Sequence, residues 1–168
     1  RRQERINKMI HKIETEKADA SIAIGYGVVD ATAATTGQIS SIAFPDNKED
    51  IYLSWIGAGL GIGVVGGLTI LFNHEQILLD IFEGWHYYRQ YLEKNPLLKG
   101  NQINTWNGRW ISQRYDREYD SDDPLMNFNP LVPMSDGLFN LQTVPWAEVI
   151  AGIARNNRTS NMVGYLYS

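Results

Sequence analysis

The amino-acid sequence predicts a mainly α-helical protein built on a membrane-inserting, glycine-rich helical hairpin. An amphipathic N-terminal helix precedes the hairpin, and an irregular C-terminal segment with a small β-hairpin follows it. The observations behind this fold class are an uncharged run at residues 51–73, a glycine at every fourth position within that run, and an Asn-Gly pair further on. The predicted boundaries are residues 1–17 for the amphipathic helix, 18–95 for the hairpin with its extended second helix, and 96–168 for the segment that contacts partners.

The first predicted element is the amphipathic helix. Its apolar residues recur at the spacing of one helical face, and they are Ile6, Met9, Ile10 and Ile13. Basic residues occupy the wider face, which is typical of a helix that lies on an anionic membrane surface. The acidic residues between them, Glu4, Glu14 and Glu16, favour a surface helix that packs on a protein partner. The sequence is compatible with both interpretations.

The uncharged run contains Gly59, Gly63 and Gly67 at every fourth position. On a helix this spacing places the three glycines on one face, where another helix backbone can approach closely. The run is also long enough to cross ~30 Å of hydrocarbon. We therefore predict a glycine zipper for helix packing on a transmembrane helix at residues 51–72. The alternative is a glycine-rich helical pair buried inside a large protein assembly.

The predicted partner of the glycine helix is the arm at residues 21–44. Its Ala, Gly, Ser and Thr residues are those that line close helix–helix contacts. A polar connector that begins with Pro45 joins the two arms, which is typical of a helical hairpin. Asp30 is the one charge in this arm, and an ionisable group inside a membrane is a candidate functional residue because its burial is costly. A helix-capping or loop role is the alternative for Asp30.

An aromatic cluster follows the uncharged run on the extended second helix. The cluster consists of Trp85, Tyr87, Tyr88 and Tyr91. Tryptophan and tyrosine concentrate where a membrane meets water, so the cluster predicts membrane-interface aromatics. The alternative is an aromatic core face of a soluble helix. The helical period continues to about Leu92, and Pro96 ends it.

The C-terminal segment carries one hairpin signal and one helix signal. The Asn107-Gly108 dipeptide is typical of a two-residue β-turn, so we expect a β-hairpin within residues 102–113. Pro145 is suited to the first turn of a helix that reaches about Arg155. The rest of the segment is irregular and aromatic, which favours packing on partners over a core of its own.

Two motifs resemble chemical sites, and the sequence argues against both. Residues 61–66 match the dinucleotide-binding pattern Gly-x-Gly-x-x-Gly, with Asp80 as the ribose-binding acid. The glycines extend beyond that motif and no βαβ alternation follows, so a Rossmann-type dinucleotide-binding protein is a minor alternative. Glu83 and His86 have the Glu-x-x-His spacing of di-metal helical bundles, without the second copy that such a site needs. We therefore expect no catalytic residue, metal site or cofactor.

Charge and organisation lead to the functional prediction. A net charge of -4 argues against direct nucleic-acid binding, which needs a basic patch. The chain begins at Arg1, so we expect a processed form or a fragment. The leading prediction is a non-enzymatic structural subunit of a larger complex, anchored by the hairpin in an organellar or bacterial inner membrane, with lipid and other protein subunits as partners. The alternative is a virion component, an internal or tail-associated phage protein whose hairpin inserts into the host envelope.

Overall fold

The computed structural model describes residues 2–16 and 47–168 of the chain. Within these residues it contains five helices and five short strands. In chain order the elements are α1 (Arg2–Thr15), α2 (Lys48–Gly59), β1 (Ile62–Val64), β2 (Leu68–Phe72), α3 (Glu75–Lys94), α4 (Ile103–Arg114), β3 (Leu131–Pro133), β4 (Phe139–Leu141), α5 (Trp146–Asn156) and β5 (Gly164–Tyr167). The chain divides into two compact units, unit 1 at Arg1–Gly59 and unit 2 at Leu60–Ser168.

Unit 1, as far as its residues are described, pairs α1 with α2 through a small apolar contact. Ile13 of α1 and Ile51 of α2 are both almost fully buried. Beside them the Glu14 carboxylate accepts hydrogen bonds from Lys48 Nζ at 2.8 Å and from the Tyr52 hydroxyl at 3.1 Å. These hydrogen bonds lower the pKa of Glu14. The apolar face of α1 is buried only near the C-terminal end of the helix. Ile6 and Ile10, which lie nearer its start, are exposed.

Unit 2 is built on a three-stranded antiparallel sheet in the order β1-β2-β5. Val64 of β1 lies opposite Leu68 of β2. Ile70 of β2 lies opposite Leu166 of β5. Because side chains alternate between the two faces of a strand, these residues share one face of the sheet, which we call the groove face. The opposite face carries Gly63 of β1 and is called the glycine face.

Helices α3 and α4 supply the largest side chains in the core of unit 2. Trp106, Trp110 and Ile111 of α4 are fully buried, and aromatic rings of α3 contact both tryptophans. Each indole N–H is donated to a backbone carbonyl of α3, from Trp106 to Gly84 at 2.8 Å and from Trp110 to Asp80 at 2.7 Å. A buried indole keeps its hydrogen bond in this arrangement, so the two helices are joined both by packing and by polar contacts.

The predicted glycine-rich helical hairpin is wrong, because the uncharged run does not form one helix. Helix α2 ends at Gly59, and the run continues as β1, a turn and β2. Gly66 and Gly67 in that turn have φ angles of 96° and 73°, which glycine adopts without steric cost and which a right-handed helix excludes. The flanking strands are rich in β-branched residues, which favour extended backbone. The mainly α fold class is therefore also wrong, since strands pair into two small sheets within the described residues.

The membrane predictions are wrong as well. Among residues 2–16 and 47–168, no helix combines the length and the apolarity that crossing a bilayer requires. The 20-residue helix α3 carries charged side chains along its length, from Glu75 to Lys94. The transmembrane helix predicted at residues 51–72 is divided between α2 and the β1–β2 hairpin. The organellar or bacterial inner-membrane location was inferred from that helix and loses its basis with it.

The β-hairpin predicted at Asn107-Gly108 is also wrong, because both residues lie inside α4. A glycine in a helix costs about 1 kcal/mol relative to alanine. Full burial of one large apolar side chain contributes about 2 kcal/mol or more. The helical spacing of Trp106, Trp110 and Ile111 buries all three at once, so tertiary packing outweighs the turn preference of the dipeptide.

The end of the predicted second helix and the helix predicted after Pro145 are confirmed. Of the helix predicted up to about residue 95, the last part is helical as α3, which ends at Lys94, close to the stop expected at Pro96. Helix α5 follows Pro145, as the sequence predicts, and its residues Val149 and Ile153 are buried. Strong helical periodicity with a proline at the boundary is thus a reliable local signal in this chain.

Candidate functional site: an apolar groove in unit 2

An apolar groove of about 480 Å³ lies in unit 2 between the groove face of the sheet and helix α5. The sheet contributes Val64, Leu68, Ile70, Phe72, Gly164 and Leu166. Helix α5 contributes Trp146 and Ile150. None of these side chains is ionisable, so the groove offers hydrophobic contact.

The local periods of the chain direct these side chains to one place. Leu68, Ile70 and Phe72 occupy every second position of β2 and therefore share a face of the sheet. Trp146 and Ile150 lie four residues apart on α5 and therefore share a face of that helix. The groove is formed where the strand face and the helix face meet.

The groove has a buried floor and an exposed rim. Ile70 and Phe72 on the floor are only 8% and 6% exposed. On the rim, Trp146 is 58% exposed and Leu166 is 62% exposed. Large apolar side chains that are exposed next to one another indicate a binding surface, whereas single exposed apolar residues do not. An apolar segment of another molecule would therefore complete the packing of this face.

At β1, the glycine face of the same sheet is closed by α4. A Cβ added to Gly63 would lie 2.9 Å from the backbone carbonyl carbon of Asn104. Just before β1, the carbonyl oxygen of Gly61 accepts hydrogen bonds from the side-chain amides of Asn104 and Asn107, at 2.9 and 2.8 Å. The two glycines thus let a helix pack directly against extended backbone, which a larger side chain would prevent.

A buried polar cluster surrounds Asp80 on α3. Its carboxylate accepts hydrogen bonds from the Tyr115 hydroxyl at 2.6 Å and from Gln76 Nε2 at 3.0 Å. Arg114 Nη2 lies 3.6 Å from the same carboxylate. Burial, and then the hydrogen bond to Asp80, raises the pKa of Tyr115. Because the buried charge is compensated by these neighbours, the cluster ties α3 to the end of α4, and it does not line the groove.

The structure separates the three glycines that the sequence placed on one helical face. Gly59 ends α2, Gly63 lies in β1, and Gly67 lies in the turn before β2. There is open space where a Cβ of Gly67 would lie. Gly63 does lie against the backbone of a helix, but it does so from a strand and its neighbour is α4.

The four aromatic residues predicted at a membrane interface lie on α3 and pack into unit 2. Tyr88 is buried, and Trp85, Tyr87 and Tyr91 pack against the core. Tyr87 stacks on Trp110 with 4.8 Å between the ring centroids. The four residues therefore form an aromatic core face, which is the alternative interpretation of this cluster.

The remaining candidate residues do not assemble into a site. Asp30 lies outside the described residues. His86 is exposed, and its Nε2 atom lies 2.8 Å from Gln90 Nε2. No group of three or more possible metal ligands occurs in the part of the chain that the structure describes. The glycines of residues 61–66 belong to an antiparallel hairpin, whereas a dinucleotide cradle needs a strand, a tight turn and a helix N-terminus.

Sequence reasoning missed the groove, although signals for its strands were present. Gly66 and Gly67 form a dipeptide typical of hairpin turns, and Val, Thr and Ile residues flank it on both sides. The same glycines also fit a helix-packing repeat, so the local pattern agrees with a helix as well as with a hairpin. The sequence held no signal that brings β5 and α5 to this hairpin, since both are distant in the chain.

Comparison with known protein families, curated proteins and solved structures yields no match to this chain. The groove is the candidate site because its apolar rim is exposed to other molecules, whereas the Asp80 cluster is buried. Its function is therefore inferred from geometry and chemistry.

Proposed function

We propose that this protein is a non-enzymatic structural subunit of a larger protein assembly and that it binds a partner subunit through the apolar groove of unit 2. The observation that supports the proposal is the exposed rim, where Trp146 and Leu166 stand beside a buried apolar floor. An apolar segment of the partner would remove this rim from water. The net charge of -4 further favours a protein partner over nucleic acid.

Hydrophobic burial would supply most of the binding free energy. Each Å² of apolar surface removed from water contributes about 25 cal/mol. Large aromatic residues at the centre of an interface carry a disproportionate share of that energy, and Trp146 is the largest side chain that lines the groove. Filling the groove desolvates no ionisable side chain of its lining, so no buried charge has to be compensated.

The same chemistry favours a non-enzymatic role for the groove. General acid–base and nucleophilic catalysis require a titratable or nucleophilic side chain at the reacting atoms. The lining residues are aliphatic, aromatic or glycine, and none of them supplies such a group. A molecule held in the groove would therefore be bound rather than transformed.

The proposal is tested by comparing two variants on α5. Trp146→Asp places a charge on the rim, whereas Ala147→Asp places the same charge on the next residue, which is exposed and does not line the groove. The protein subunits that co-purify with the wild-type chain are identified by mass spectrometry and quantified for each variant. We expect Trp146→Asp to lower their recovery by roughly tenfold or more, and Ala147→Asp to leave it unchanged.

A second measurement uses the purified chain alone. A fluorescent apolar dye should bind the wild type and Ala147→Asp more strongly than Trp146→Asp, because the charge disrupts the apolar rim. Both variants should melt close to the wild-type temperature, since both positions are exposed. Equal recovery of the same partner subunits with both variants would contradict the proposal.

A further inference from the structure

Strand β5 forms an exposed edge of the three-stranded sheet. It pairs with β2 on one side, and no strand within residues 2–16 and 47–168 pairs with its other side. Its side chains are exposed, with Tyr165 at 57%, Leu166 at 62% and Tyr167 at 42%. The edge therefore presents both unpaired backbone groups and apolar side chains.

The outward-facing backbone groups of β5 follow from its pairing with β2. The amide N–H of Asn73 donates to the carbonyl oxygen of Val163 at 2.9 Å, so the backbone groups of residue 163 point towards β2. Backbone groups alternate in direction along an antiparallel strand. The backbone N–H and C=O of Tyr165 therefore point towards β2, and those of Gly164 and Leu166 point to the free edge.

The sequence around β5 lacks two of the features by which proteins usually prevent strands from pairing with one another. These two features are charged residues and prolines. Residues 159–168 contain no charged residue and no proline. A strand brought against β5 would meet no like charge and no missing backbone donor.

We propose that β5 pairs in antiparallel fashion with β5 of a second copy of this chain, with Tyr165 on the two-fold axis. The two sheets then join into one continuous sheet across the dimer. This inference goes beyond the proposed function, because it concerns the backbone edge of β5 and a second copy, whereas the groove binds a different subunit through its side chains.

The self-complementarity of β5 supports a second copy as the occupant. With Tyr165 opposite its own copy, Gly164 lies opposite Leu166 of the other chain, and these are the residues whose backbone groups face outward. Each such pair exchanges both backbone hydrogen bonds. The leucine side chain then lies beside a glycine, so no second side chain occupies the same space. Within the chain, Gly164 lies against the ring of Phe72 on the groove face.

The interface is small, so the dimer should dissociate on dilution. A short strand pair with its flanking side chains buries less than the roughly 1,200 Å² of a standard stable interface. Analytical ultracentrifugation of the full chain over a concentration series should therefore show a reversible monomer–dimer equilibrium. A chain that remains monomeric at all concentrations up to the millimolar range would overturn the proposal.

Cysteine cross-linking tests the register directly, because the chain contains no cysteine. In a non-hydrogen-bonded antiparallel pair the two Cα atoms are about 4.5 Å apart, which a disulfide can bridge. Tyr165→Cys should therefore form a disulfide-linked dimer under mild oxidation. The matched control is Tyr167→Cys on the same face, where the two copies of the residue are separated by four strand positions, or about 13 Å. Equal cross-linking of the two variants would overturn the register.

A backbone variant tests the hydrogen bonds themselves. Leu166→Pro removes an outward N–H and leaves the pairing with β2 intact, whereas Leu166→Ala shortens the side chain and keeps the N–H. We expect Leu166→Pro to raise the dimer dissociation constant at least tenfold more than Leu166→Ala does, with circular dichroism confirming that both variants fold. Equal effects of the two variants would show that backbone pairing is not involved.

The groove variant separates this inference from the proposed function. Trp146 lies on α5 and takes no part in the strand edge. Trp146→Asp should therefore lose the partner subunit and keep the monomer–dimer equilibrium of the wild type. A monomeric Trp146→Asp protein would instead indicate that the copies associate through the groove, which contradicts pairing at β5.

Discussion

The two faces of the β1-β2-β5 sheet differ in how they are covered. On the glycine face, α4 lies directly on the backbone near Gly63, and two asparagine amides bind the carbonyl oxygen of Gly61. On the groove face, α5 covers the sheet only in part and leaves the rim residues Trp146 and Leu166 exposed. At β1 the glycine face is therefore closed by α4, whereas the groove face keeps an exposed apolar rim between β5 and α5.

The two faces differ because the size of the side chains on a sheet decides how closely a helix can pack against it. Glycine removes side-chain volume, so a helix can approach until polar groups of the helix reach the backbone of the strand. On the groove face the strands carry large aliphatic and aromatic side chains, and a groove lies between them and α5. We therefore expect substitutions at Gly63, where α4 contacts the strand, to affect stability, and substitutions on the rim of the groove to affect binding.

The largest expected effect comes from adding volume on the glycine face. Gly63→Val would place its Cβ about 3 Å from backbone atoms of Asn104 and Thr105, which cannot move independently of α4. We expect a loss of roughly 3 kcal/mol or more in the free energy of unfolding, measured by urea denaturation. If the valine variant does not fold, Gly63→Ala provides the measurable intermediate.

The matched control is the same substitution where there is space. Gly100 has open space around a Cβ and carries no left-handed φ. Gly100→Val should change the free energy of unfolding by about 0.5 kcal/mol or less. A Gly63 variant as stable as the Gly100 variant would show that α4 can move away from the sheet, and the contrast between the two faces would be lost.

A middle-sized effect is expected at the end of α4, the helix that closes the glycine face. Tyr115→Phe removes the hydrogen bond that the Tyr115 hydroxyl donates to the buried Asp80 carboxylate. Hydrogen bonds to charged groups contribute about 2 kcal/mol, so we expect a loss of that order in the free energy of unfolding at pH 7. Chemical denaturation of the wild type and the variant measures the difference.

The same pair of proteins gives a pH test. Burial, and then the bond to Asp80, raises the pKa of Tyr115 above its ordinary value of 10.0, so the unfolded chain loses this proton first as pH rises. The stability that the hydroxyl contributes is therefore complete below about pH 10 and declines above it. The stability difference between wild type and Tyr115→Phe should shrink from pH 9 to pH 11, and a constant difference would contradict the assignment.

The smallest expected effect on stability is on the rim of the groove. Trp146→Ala should change the free energy of unfolding by about 0.5 kcal/mol or less, because the side chain is 58% exposed. The same variant should weaken partner binding by roughly tenfold or more. A loss of stability comparable to that of Gly63→Val would place Trp146 in the core and would remove it as a binding anchor.

The elements that sequence reasoning located correctly are those with a strong local pattern. The end of α3 near Pro96 and the start of α5 directly after Pro145 agree with the sequence, whereas the start of α3 at Glu75 does not. The functional surface could not be located in this way. Trp146 and Leu166 become neighbours only because β5 pairs with β2 and α5 lies beside them, and no local pattern encodes a contact between residues so far apart in the chain.

The sequence by itself determined the helices whose apolar period and proline boundaries agree, because hydrogen bonds within a helix depend on neighbouring residues alone. Tertiary structure decided the two segments whose local signals conflict. The glycine run is compatible with a helix or with a hairpin. In the structure it forms the β1–β2 hairpin, and β2 of that hairpin also pairs with β5. Gly108 costs the helix about 1 kcal/mol relative to alanine, but burying Trp106 and Trp110 on α4 stabilises the helix by several times as much.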